Sequence, residues 1–155
     1  MSSRLVAGIV GGLAAGVVFG MMMQMMTAPT PDGGQMPIIN MVGMIVGSPT
    51  AAAGWLYHLF NSAVIGAIFV WALGARSTAY GPALAWGAAY GAAWWSLGGL
   101  ILMPVFLGMP PFAPLMMPEM RMVAMGSLVG HLIYGLILGA VYVAMTRRAP
   151  APTPV

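Results

Sequence analysis

Breaks in apolar runs organise this chain, because polar positions are too sparse to do so. Four runs stand out, Leu5 to Met26, Thr50 to Gly74, Pro82 to Met103 and Val123 to Thr146, each longer than 20 residues. At about 1.5 Å per residue, such a run crosses the ~30 Å hydrocarbon core of a bilayer. An unpaired backbone group in lipid costs several kcal/mol, so each run is expected to be a helix. The expected fold is therefore all-α, a single membrane domain of four transmembrane helices. Two connections, Thr27 to Pro49 and Pro104 to Met122, are long, Pro-rich and apolar. They are expected to lie at the interface or to dip back as a cap over the bundle, with a conformation the sequence does not fix.

The second and fourth runs resemble each other. Trp55 to Arg76 reads WLYHLFNSAVIGAIFVWALGAR and Leu128 to Arg148 reads LVGHLIYGLILGAVYVAMTRR. An offset of 73 carries His58 onto His131, Gly66-Ala67 onto Gly139-Ala140 and Met36-Pro37 onto Met109-Pro110. The chain therefore reads as two tandem helix pairs, about 5–76 and 82–148, followed by a disordered tail at 149–155. In the first run Gly8, Gly12, Gly16 and Gly20 recur every fourth residue, a stripe on which another helix can pack closely. Gly87, Gly91, Gly98 and Gly99 give the third run a weaker version. Any glycine face left unused would serve a homo-oligomer.

Composition agrees with the runs. Of 155 residues, 61% are apolar and 5% charged, and the mean hydropathy is +0.94, values that no water-soluble globule needs. The first run lacks a small-residue cleavage site and is longer than a secretory signal region, so it is expected to be retained. The basic balance rests on five arginines against Asp32 and Glu119, which makes flanking charges and no nucleic-acid patch. Arg4, Arg76, Arg147 and Arg148 fall on one side of the four runs, whereas Asp32, Glu119 and Arg121 fall on the other. The positive-inside rule then puts both termini in the cytoplasm, with the chain multi-pass in the inner (plasma) membrane. Without cysteine there is no disulfide and no thiolate chemistry.

Candidate chemistry centres on His58 and His131, the two histidines of the chain, each about eight residues inside its run and so ~12 Å deep. Ionisable groups at that depth face the bundle interior and mark functional candidates. Each imidazole either ties helices together, through a carbonyl or Ser62, Asn61 or Tyr134, or binds a ligand. Fifteen of the 17 methionines lie on the outer side, all but Met1 and Met145. Thioether sulfur suits Cu(I), so Met109, Met116, Met117 and Met120 above the two histidines form a candidate copper set. The same methionines also serve as adaptable packing. A bis-His b-type haem is a further candidate, with the glycines of the first and third runs giving the macrocycle room. No paired acid, Ser/His/Asp arrangement or acidic residue lies within a run, so neither hydrolysis nor a proton relay is expected. Trp55, Tyr57, Trp86, Tyr90 and Tyr142 read as interface anchors or packing, and Trp94-Trp95 as a mid-span pair with one side to lipid.

At WWSLGGLILMPVFLGMP (Trp94 to Pro110) and GHLIYGLILGAVY (Gly130 to Tyr142) the chain resembles small prokaryotic four-helix integral-membrane proteins catalogued as domains of unknown function. The resemblance implies a membrane location and four helices, and no activity or site residue. The expected role is non-enzymatic, scaffolding or interaction within the lipid bilayer. Copper handling, haem binding and a small transporter stand as alternatives.

Overall fold

The computed structural model describes residues 3–30 and 32–147. Met1, Arg148 and the tail at 149–155 lie outside the described residues. Four helices are long and apolar enough to cross a membrane. They are α1 (Ser3–Met25), α3 (Ala51–Leu73), α4 (Tyr80–Trp94, running on through a wide turn to Phe106) and α7 (Arg121–Thr146). Each lies within a few residues of an expected run, because lipid leaves a helix as the one open-chain way to pair every backbone group.

The connections carry structure of their own. Thr27–Pro29 (β1) and Gln35–Pro37 (β2) form an antiparallel ribbon, and α2 (Ile38–Met44) follows it directly. Burial of Ile38, Ile39, Met41 and Val42 holds α2 against α3. Thr50 caps α3 by accepting the Ala53 amide at 3.3 Å. On the other side, α5 (Met103–Phe106) and α6 (Ala113–Met116) lead into α7, with Ala113 and Pro114 buried. Phe112 enters α6 at φ 63°, a left-handed conformation that a bulky residue rarely adopts, and its amide donates to the Leu100 carbonyl at 2.6 Å.

Small residues set how the spans meet. Gly8 and Gly12 face Gly66, and Gly12 and Gly16 face Ser62, where an added methyl would run into α3. Gly20 faces the Trp55 ring. Across α4 and α7, Gly87 meets Gly135, Gly91 meets the His131 carbonyl and Gly139 meets the Ala83 carbonyl. The α1 stripe is thus spent inside the chain, and Gly11 is taken by Leu138 of α7. The expected role of Gly8, Gly12, Gly16 and Gly20 in close helix packing is therefore met within the chain, on α3.

Packing runs in the order α3, α1, α7, α4, while α3 and α4 lie apart. Tyrosine hydroxyls reach across instead. Tyr90 of α4 donates to the Ile65 carbonyl at 2.7 Å, and Tyr134 and Tyr142 of α7 donate to the Ser62 and Gly74 carbonyls at 2.8 and 3.3 Å. Phe69 is fully buried between the Tyr90 and Tyr142 rings. Tyr90 and Tyr142 are therefore buried cross-ties and not interface anchors.

Candidate functional site

Residues of α1, α2, α3, α7 and the third span enclose a cavity of about 250 Å³. It is smaller than the ~300–1,000 Å³ typical of ligand pockets, yet lined in the same manner. Ile38, Val42, Ile65, Leu102 and Phe106 give apolar walls, and His58, Asn61, Ser62, Ser127, His131 and Tyr134 give a polar group. Its rim includes Val64, Leu102 and Phe106, which are exposed on the apolar flank between α3 and α4.

Both histidines line this one cavity. His58 Nε2 lies 2.9 Å from the Gly16 carbonyl, a bond from α3 to α1. His131 Nδ1 lies 2.8 Å from the Ser127 carbonyl, one turn back on its own helix. A carbonyl oxygen can only accept, so each of these nitrogens carries the hydrogen. The Phe19 ring of α1 stands edge-on against both imidazoles, with centroids 5.7 Å from His58 and 4.7 Å from His131. Phe19 reaches them by passing over Gly130, where a methyl would collide with the ring. Trp55 closes the far side of His58, at 6.3 Å.

The third span supplies the floor through a wide turn. Residues 95–102 take the broader π-helical winding, which commonly marks functional sites. Gly98 and Gly99 line the cavity there. Trp95 turns inward, its indole donating to the Ala124 carbonyl at 3.1 Å, and Trp94 lines the cavity, so neither is a simple lipid anchor.

The candidate methionines do not join the histidines. Met116 and Met117 are exposed, because α6 turns Ala113 and Pro114 inward and so sends the following pair outward. Met109 and Met120 share a separate pocket of about 40 Å³ with Met41 and Met103, which neither histidine lines. The methionines that line the histidine cavity are Met23, Met26 and Met103. Among the described residues, no three His, Asp or Glu side chains gather as a metal site.

Room for a haem between the imidazoles is likewise missing. Phe19 is packed on both rings, and the glycines expected to leave space are filled by Ser62 at Gly16 and by the His131 carbonyl at Gly91. Phe19 escaped the sequence reading, and Met23 and Met26 were read only as two of the fifteen outer-side methionines, because an apolar side chain carries no mark of facing inward. The Gly98-Gly99 pair in mid-span was the one visible sign of the wide turn. Compared with family models, curated proteins and solved structures, the chain finds no match.

Proposed function

We propose that this is a non-enzymatic integral membrane protein that takes a small lipid-soluble molecule into the cavity between α3 and α4. The observation that carries the reading is a single mostly apolar cavity lined by both intramembrane histidines, with exposed apolar residues at its rim. Buried polar groups that converge in an apolar pocket are the usual make-up of a small-molecule site. A pure scaffold would have no need of one.

The arginines favour a plasma-membrane protein with both termini cytoplasmic, so that the cavity lies in the outer half. Two like-oriented helix pairs are supported by matching contacts. Gly12 against Ser62 in the first pair corresponds to Gly87 against Gly135 in the second, and Gly8 against Gly66 to Ala83 against Gly139. The α3 and α4 gap is then the place where the two pairs depart from each other.

Mass spectrometry of the intact protein, released from membranes in mild detergent, tests the reading. The wild type should retain one small molecule per chain and Gly98→Phe should not, since a side chain added at this cavity-lining position fills the space. Gly98 tolerates the first carbon, with Trp94 the nearest neighbour at 3.9 Å. Identical bare masses for both proteins would overturn the proposal.

A second reading is favoured by Met23, Met26 and Met103, which line the cavity with His58 and His131, a soft donor set suited to Cu(I). It predicts one copper per chain after anaerobic Cu(I) loading, lost in His58→Ala/His131→Ala. No copper above the double variant would remove it.

A further inference from the structure

Four of the polar side chains in the cavity share a property that bears on the chemistry of a guest. His58 Nε2 donates to the Gly16 carbonyl, His131 Nδ1 to the Ser127 carbonyl, Ser62 Oγ to the His58 carbonyl and Tyr134 to the Ser62 carbonyl. All four have spent their hydrogens on backbone. A neutral imidazole keeps a bare lone pair on its second nitrogen, and a donating hydroxyl keeps only lone pairs. Neither carboxylate of the chain lines the cavity to hold an imidazolium there, Asp32 lying outside the spans and Glu119 at the start of the fourth. What these groups can still offer is acceptance, so a guest that pairs with them must bring its own hydrogens. The Asn61 amide and the Ser127 hydroxyl can both donate and accept, the latter because the His131 nitrogen 3.4 Å away already carries a hydrogen, so these two oppose neither kind of guest and the discrimination rests on the two imidazoles.

Shape narrows the class. The two imidazoles sit against the same Phe19 ring, which places two acceptors at one level in a cavity about the size of a substituted six-membered ring. The remaining walls are apolar and lead to the exposed rim at Val64 and Phe106. A flat head with two hydroxyls and an apolar tail fits all three conditions. Resting on the cavity reading above, we propose that the site binds a lipid-soluble hydroquinone and prefers it over the corresponding quinone. The quinone has the same outline but carries acceptors where hydrogens are required, and two facing acceptors leave both unpaired.

The test is a binding titration on the whole protein in nanodiscs, under argon, with a decyl-tailed benzoquinol and the matching benzoquinone. The quinol should bind at least about tenfold tighter, the factor that one well-made hydrogen bond supplies. His131→Leu, whose bond lies within its own helix, should keep its thermal unfolding profile and lose most of the preference. Equal affinity for the two forms, with both abolished by Gly98→Phe, would overturn the hydroquinone assignment and leave the cavity reading standing. Binding of neither form by wild type also overturns it, while the retained-mass measurement judges the cavity separately. Binding that survives Gly98→Phe would place the site elsewhere and sink both.

Discussion

Adding one methyl group at two positions should move stability in opposite directions. A methyl at Gly135 would stand 2.7 Å from the Gly87 carbonyl carbon and 3.2 Å from the Gly91 nitrogen, inside the 3.4 Å at which ordinary contact begins. Both obstacles are backbone, so α4 and α7 must separate by roughly 1 Å. Overpacking of this kind costs about 1–3 kcal/mol, against which the better helix propensity of alanine returns roughly 0.5–1 kcal/mol. Gly135→Ala should therefore destabilise by about 1–2 kcal/mol. Gly81, on the α4 side of the same helix pair, has no atom within 4 Å of an added methyl. Gly81→Ala keeps the propensity term alone and should stabilise by up to about 1 kcal/mol. Equilibrium unfolding in mixed detergent micelles, followed by tryptophan fluorescence, separates the two. Should Gly135→Ala prove as harmless as Gly81→Ala, the close crossing of α4 and α7 does not exist in the folded protein.

Three further outcomes are expected. His58→Leu removes a hydrogen bond between α3 and α1, the Gly16 carbonyl keeping its bond within α1, and should cost about 1 kcal/mol in the same unfolding assay, whereas His131→Leu, whose bond lies within its own helix, should cost less; equal losses would contradict these bonds. Phe112→Gly relieves the left-handed backbone at φ 63° and should gain roughly 1 kcal/mol, unless a drop shows the ring to be a packing contact that matters more. The Thr30 hydroxyl, followed by the Gly34 amide, holds the Asp32 carboxyl below its usual range. Because the folded value is the lower one, this support is present above about pH 4 and fades as the pH falls through the folded value. The protection of the Gly34 amide, its exchange rate divided into the intrinsic rate at each pH, should therefore fall on acidification in wild type and not in Asp32→Asn.

Span positions were legible because lipid permits few backbone solutions, and each of the four lies within a few residues of an apolar run. That His58 and His131 meet at one level along the bundle was legible for the same reason, since rise per residue converts sequence distance into height. Which face of each helix turns inward was not. Lipid is as apolar as a helix interface, so Phe19, Met23 and Leu138 carry no hydrophobic signature to distinguish them from Val17 or Met21. Small residues were the exception, and Gly12, Gly16, Gly87 and Gly91 each stand at a crossing. Met109, Met116, Met117 and Met120 are not gathered with the histidines, because the fold of the connection that carries them was not legible. That fold depends on the turn at Gly108 and on the left-handed Phe112, neither of which leaves a pattern in an apolar segment.

The rim at Val64, Leu102 and Phe106 has a kinetic meaning. A molecule that leaves past these side chains steps into acyl chains without crossing water. Its supply is the surrounding leaflet, its concentration is a mole fraction among lipids, and its arrival is diffusion in two dimensions. Occupancy should follow how a compound partitions into that leaflet, so two guests of equal fit but unequal partitioning will fill the protein to different extents.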